Sequence, residues 1–140
     1  MLYFICGTIV GFLWRQSMEE LILIVDDDKQ MLKTLRGYLI DEYNVAPVSS
    51  GKVAIDFLTK RKPDLILLDY SMPLFDGPAV FNMVRKKEET RDIPIIFLTG
   101  ITDKEKIIDV LALKPDGYIV KPVSKEELLR RIGEVMSKSR

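Results

Sequence analysis

From Met18 onward, short aliphatic runs alternate with stretches of helical spacing. The runs occupy residues 21–25, 45–48, 65–68, 93–98 and 118–120. Four are almost uninterrupted Leu, Ile, Val and Phe, the composition expected of strands covered on both faces. Between them apolar residues recur every three or four positions. Leu32, Leu35 and Leu39 form one such stripe; Val53, Ala54, Phe57 and Leu58 form a second; Val80, Met83 and Val84 a third. Ile107, Ile108 and Leu111 form the fourth, and Leu128, Leu129, Ile132, Val135 and Met136 the last. Thr102 with Glu105 and Ser124 with Glu127 have capping-box spacing at the starts of the last two helices. Asp76-Gly77-Pro78 reads as a turn that opens the third. The order is strand then helix, five times over.

Right-handed crossovers make such strands parallel, with helices on both faces. The expected fold is therefore a doubly wound α/β sandwich, and its ligands belong beyond the carboxyl ends of the strands. A chain of 140 residues suits one such domain. Residues 18–140 supply it, and residues 1–17 stand apart as an apolar N-terminal extension. Residues 2–14 are nearly all apolar, yet as a helix they reach only roughly 20 Å, short of a bilayer's ~30 Å hydrocarbon core. No basic segment precedes them, so they do not read as a secretory signal. Two readings stay open: an appended segment outside the fold, or a hydrophobic handle for self-association or membrane contact. Gly7 and Gly11 have a spacing weakly suggestive of helix pairing.

Twenty-one basic residues balance twenty-one acidic ones. No bulk field favours nucleic acid, so direct nucleic-acid binding is not expected. The absence of histidine removes imidazole acid–base catalysis and His-ligated zinc, and a lone cysteine, Cys6, permits no internal disulfide. The chemistry left belongs to carboxylates, hydroxyls, lysine and a hard, oxygen-seeking cation.

Four runs end in polar residues: Asp26-Asp27-Asp28, Asp69, Thr99 and Lys121. In a parallel sheet these ends share one edge. Each has an ordinary explanation alone, Asp28 as a helix cap above all. Together they form a cluster whose carboxylates repel one another and call for a divalent counter-charge. Mg²⁺ suits few oxygen ligands, and a carboxylate beside it can attack phosphorus to give an acyl phosphate. The lysine and hydroxyl would then meet the phosphoryl oxygens. Neither GxxxxGK[ST] nor GxGxxG occurs, so the phosphoryl donor is expected to be a partner or a small molecule.

Leu23-Ile24-Val25-Asp26-Asp27-Asp28, Leu67-Leu68-Asp69-Tyr70-Ser71-Met72-Pro73 with Asp76-Gly77, Phe97-Leu98-Thr99-Gly100 and Tyr118-Ile119-Val120-Lys121-Pro122 resemble the receiver domain of two-component response regulators. The resemblance covers essentially residues 18–137. It implies a flavodoxin-like (βα)5 sandwich with strand order 2-1-3-4-5 and a cytoplasmic setting. It implies that Asp69 accepts the phosphoryl group from a sensor histidine kinase or phosphotransfer protein. Mg²⁺ would be bound directly by Asp27 and Asp69, largely through water by Asp26, and by the Ser71 carbonyl. Lys121 would pair with the phosphoryl group and Thr99 would hydrogen-bond it. Tyr118 would turn inward as Thr99 moves, altering the face of the fourth helix, fifth strand and fifth helix for an unknown downstream protein. Protein contact at that face is the expected output, because the chain stops soon after the fifth helix. Gly100 would leave room for the phosphoryl group, and Lys121-Pro122 would be cis. The domain would be no enzyme beyond its own phosphorylation and dephosphorylation.

Two departures stand out. Leu113-Lys114-Pro115-Asp116-Gly117 replaces a small-residue turn, with a proline expected to stiffen the start of the last strand. Ile101 is apolar where a charge is common, and is expected to shield the acyl phosphate from water. Two rival readings remain. A phosphohydrolase using Asp69 as nucleophile usually carries a second acid two residues on, where this chain has Ser71. A phosphate-blind adaptor would not need Asp27, Asp69, Thr99 and Lys121 together.

Overall fold

The computed structural model describes residues 20–100 and 104–139. Strands β1 (Leu21–Val25), β2 (Asn44–Val48), β3 (Leu65–Asp69), β4 (Ile95–Thr99) and β5 (Gly117–Val120) alternate with helices α1 (Lys29–Leu39), α2 (Gly51–Leu58), α3 (Gly77–Lys86), α4 (Lys104–Ala112) and α5 (Lys125–Ser139). The strands form one parallel sheet in the order β2-β1-β3-β4-β5. The apolar extension, the Thr102–Glu105 cap and Ile101 rest on residues outside the described ones.

Strand alternation sorts the core into two layers. Ile22, Ile24, Leu65, Leu67, Ile96, Leu98 and Ile119 face Leu32, Leu35 and Leu39 of α1 and Leu128, Ile132, Val135 and Met136 of α5. Leu23, Val25, Ile66, Leu68, Ile95 and Phe97 face Ala54 of α2, Val80, Phe81 and Val84 of α3, and Val110 of α4. The chain departs from β1 to β2 on one side and returns to β3 on the other. The strand order thus reverses between β1 and β3.

Three expectations need correction. Full burial holds for β1, β3 and β4 only. At the sheet's edge, β5 is covered incompletely, and Val120 is 42% exposed. Run 93–98 is a strand only from Ile95, although Ile93 is buried. Pro94 has no N–H to give the ladder; its carbonyl instead accepts from Ile66 N at 2.9 Å. Two helical stripes are rotated from their expected faces. Val53, Ile108 and Leu111 are exposed, whereas Ala54 and Val110 are fully buried.

Candidate functional site

Strand register brings the polar ends to one rim. Val25 pairs with Leu68, Asp69 with Leu98 and Thr99 with Val120. The ladders run one step further, with Asp26 N donating to Val48 O (3.2 Å), Tyr70 N to Leu98 O (3.0 Å) and Lys121 N to Thr99 O (2.8 Å). Backbone pairing therefore holds Asp26, Asp69, Thr99 and Lys121 on adjacent strand ends. The rim opens at the reversal between β1 and β3, where such sheets leave a crevice. A cleft of about 490 Å³ lies there, lined by all four residues together with Asp27, Asp28, Tyr70, Ser71, Gly100 and Lys106.

Lys121 ties the floor of the cleft. Its ammonium donates to Asp26 Oδ2 at 2.8 Å and to Asp69 Oδ1 at 3.3 Å. Asp26 is fully buried, and its Oδ1 accepts from Asp28 N at 2.9 Å. Asp27 is exposed, yet one oxygen each from Asp26, Asp27 and Asp69 lie within 4.8 Å of one another. Asp28 caps α1, its side chain accepting from Gln30 N (2.9 Å) and Met31 N (3.3 Å). The ordinary explanation holds for that residue. Its neighbours face a different fate.

Burial pushes the Asp69 carboxyl up to about 6 from 3.8, with Asp26 and Asp27 adding repulsion and Lys121 pulling the other way. Burial alone would lower the Lys121 ammonium, but the carboxylates of Asp26 and Asp69 outweigh it and raise it above 10.5. Lysine therefore stays charged at neutral pH, while Asp69 ionises only against resistance.

The loop after β3 is shaped around Asp69. A Cβ on Gly77 would collide with the Asp69 carbonyl, and Gly77 N donates to Tyr70 O at 3.0 Å. Asp76 caps α3 through Ala79 N at 3.0 Å, with proline in the first turn. Glycine lets this turn fold against the end of β3. Gly100, by contrast, opens on empty space, since a Cβ there meets nothing within 4 Å. The Lys121-Pro122 peptide is cis.

Thr99 is 3% exposed, and its hydroxyl is buried without a hydrogen-bond partner among the described residues. Orphaned buried hydroxyls are uncommon and costly. Here the residue that carries it lines a cleft with room for an oxygen-rich ligand. The donor set is oxygen only, which fits a hard cation such as Mg²⁺ better than zinc or copper.

A family model for the response regulator receiver domain matches residues 22–133. The chain belongs to the response regulator receiver family. Its relatives include a probable transcriptional regulator, ycf27, of Porphyridium aerugineum, 38% identical over 84% of this chain and 48% of the relative. The sensor histidine kinase TmoS of Ectopseudomonas mendocina is 31% identical over 87% of this chain and 12% of the relative. The chain thus spans at most about half the length of either. Among solved structures, the receiver domain of a signal transduction histidine kinase from Syntrophus aciditrophicus superposes with a TM-score of 0.80, at 31% identity over 85% of this chain and 91% of that one.

In this receiver domain the described candidates Asp26, Asp27, Asp69, Ser71, Thr99, Gly100 and Lys121 all line the cleft, and Tyr118 does not. That side chain is half-buried against the second core layer, and its carbonyl accepts from Arg131 Nη2 at 2.7 Å. Sequence reasoning missed Lys106, an exposed α4 residue that lines the cleft. A lone lysine on a helix gives no signal of its own.

Proposed function

We propose that this receiver domain is a Mg²⁺-dependent phosphoacceptor switch whose phosphoryl site is Asp69. The observation that carries the reading is the conjunction in one cleft of three mutually close carboxylates, a lysine tied to two of them, and a buried hydroxyl with no partner. Asp27 and Asp69 would bind the cation directly, with Asp26 largely through water and the Ser71 carbonyl completing the protein ligands. Bound there, Mg²⁺ offsets the carboxylate repulsion and withdraws charge from the phosphoryl oxygens.

The chain's own residues do the rest. A carboxylate oxygen of Asp69 attacks phosphorus, the bond to the donor's leaving group breaks, and the electron pair departs with that group. Lys121 moves its hydrogen bonding from Asp69 to a phosphoryl oxygen. The Thr99 hydroxyl gains the acceptor it lacks, which draws the end of β4 toward Asp69. Attack of water on phosphorus breaks its bond to the Asp69 oxygen, which restores the carboxylate and releases inorganic phosphate. The domain acts as catalyst only in these two reactions on itself.

Donors of suitable chemistry are a phosphohistidine on a sensor kinase or phosphotransfer protein. Output runs through the α4–β5–α5 face, where Tyr118 fills the space that Thr99 vacates. Ile108 (64% exposed), Leu111 (50%) and Val120 (42%) give that face apolar surface for a downstream protein. The phosphate biases two packings by no more than its preference for one of them.

Acetyl phosphate and Mg²⁺, followed by intact mass, test the reading. One lasting phosphoryl adduct is expected, lost with EDTA and in Asp69→Asn. Rapid turnover of acetyl phosphate without an adduct would favour a phosphohydrolase instead.

A further inference from the structure

Among the described residues lining the cleft, the cations are Lys121 and Lys106. Lys121 is half-buried and committed to Asp26 and Asp69. Lys106 is exposed, and its ammonium reaches from α4 to Ser71 Oγ in the loop after β3, at 3.5 Å. That is a long contact to a neutral hydroxyl, weak beside what an anion would offer. The surrounding wall carries Asp26, Asp27, Asp28 and Asp69. An incoming acyl phosphate is a dianion and approaches these carboxylates, of which Asp26 and Asp69 lie at the floor with Lys121. A flexible ammonium at the mouth is suited to receive it.

We propose that Lys106 is a positioning residue for anionic phosphodonors, leaving Ser71 to bind the donor's outward oxygens while Asp69 attacks. The proposal rests on the phosphoacceptor reading of Asp69. In the transfer an Asp69 oxygen bonds to phosphorus, the bond from phosphorus to the acyl oxygen breaks, and the electron pair leaves on the carboxylate released. Lys106 exchanges no proton. Its contribution is attraction, so it acts on donor capture rather than on the chemical step.

The test is the rate of Asp69 phosphorylation in the full chain with Mg²⁺, titrating acetyl phosphate at low ionic strength. Lys106→Ala should raise the half-saturating concentration about two- to fivefold, the scale of a partly solvated charge. Lys106→Glu should raise it further, and Lys106→Arg should restore it. The saturating rate should stay within about twofold of the parent's. At roughly 0.5 M salt, where screening is nearly complete, the differences should vanish. Phosphoramidate, with less net charge, should show a smaller shift. An unchanged half-saturating concentration in Lys106→Glu overturns the proposal, as does a shift that survives high salt or falls only on the saturating rate. A parent chain that takes no phosphoryl group at Asp69 overturns the phosphoacceptor reading itself, and the role of Lys106 with it.

Discussion

The Asp69 carboxyl is held in the cleft at a cost to the fold. Its folded value, about 6, lies above 3.8 because burial and two neighbouring carboxylates oppose its charge. Between about pH 4 and 6 the folded chain therefore binds more protons than the unfolded one, so stability falls as pH rises through that window. Asp69→Asn, which mimics the protonated form, should match the parent near pH 4 in EDTA and exceed it at pH 7.5 by about 1–3 kcal/mol. Urea unfolding at the two pH values checks this. Equal stability at pH 7.5 would mean that the carboxyl is not disfavoured. At this scale the motifs located Asp26, Asp27, Asp69, Thr99 and Lys121, and foresaw Asp28 as a helix cap. They were silent on side-chain partners. Nothing in a one-dimensional pattern says that Lys121 reaches Asp26 more closely than Asp69, or that Thr99 is left without a partner.

At the scale of elements, the approach to β5 carries contacts that the sequence reading did not include. Pro115 was expected to stiffen it, but a fixed φ is only part of the device. Asp116 Oδ2 accepts from Ile95 N (2.8 Å) and from Arg85 Nη2 (2.8 Å). Arg85 in turn donates to Ile93 O (2.7 Å) and lies 4.8 Å from the Phe81 ring centroid. One carboxylate so couples α3, β4 and β5 at the end of the sheet away from the cleft. Asp116→Ala strands the Ile95 N–H and should cost about 1–3 kcal/mol in urea unfolding. Asp116→Asn keeps an acceptor and should cost less; equal losses would indicate that charge rather than the Ile95 bond matters. Helix faces were legible where a helix lies squarely on the sheet, as Leu32, Leu35 and Leu39 show. On α4, periodicity grouped Ile107, Ile108 and Leu111, yet Val110 is the fully buried residue. Spacing defines a stripe; how far a flanking helix overhangs the edge strand is decided by tertiary packing.

For the whole molecule, the doubly wound order matters more than any single contact. The reversal between β1 and β3 sets Asp26 and Asp27 opposite Asp69, and parallel register carries Thr99 and Lys121 to the same rim. Equal totals of acidic and basic residues hide a locally acidic cleft, so net charge alone says nothing about the site. Strand order itself came through family resemblance, because periodicity does not determine which strands are neighbours. A crystal structure of the chain with Mg²⁺ and beryllofluoride, a phosphoryl mimic, examines the assembled site in one view. Beryllium should be bonded to an Asp69 oxygen, with fluorines accepting hydrogen bonds from Thr99 Oγ1 and Lys121 Nζ and the cation held by Asp27. A bare Asp69, with the Thr99 hydroxyl still unpartnered in crystals that contain both reagents, would contradict the phosphoacceptor role.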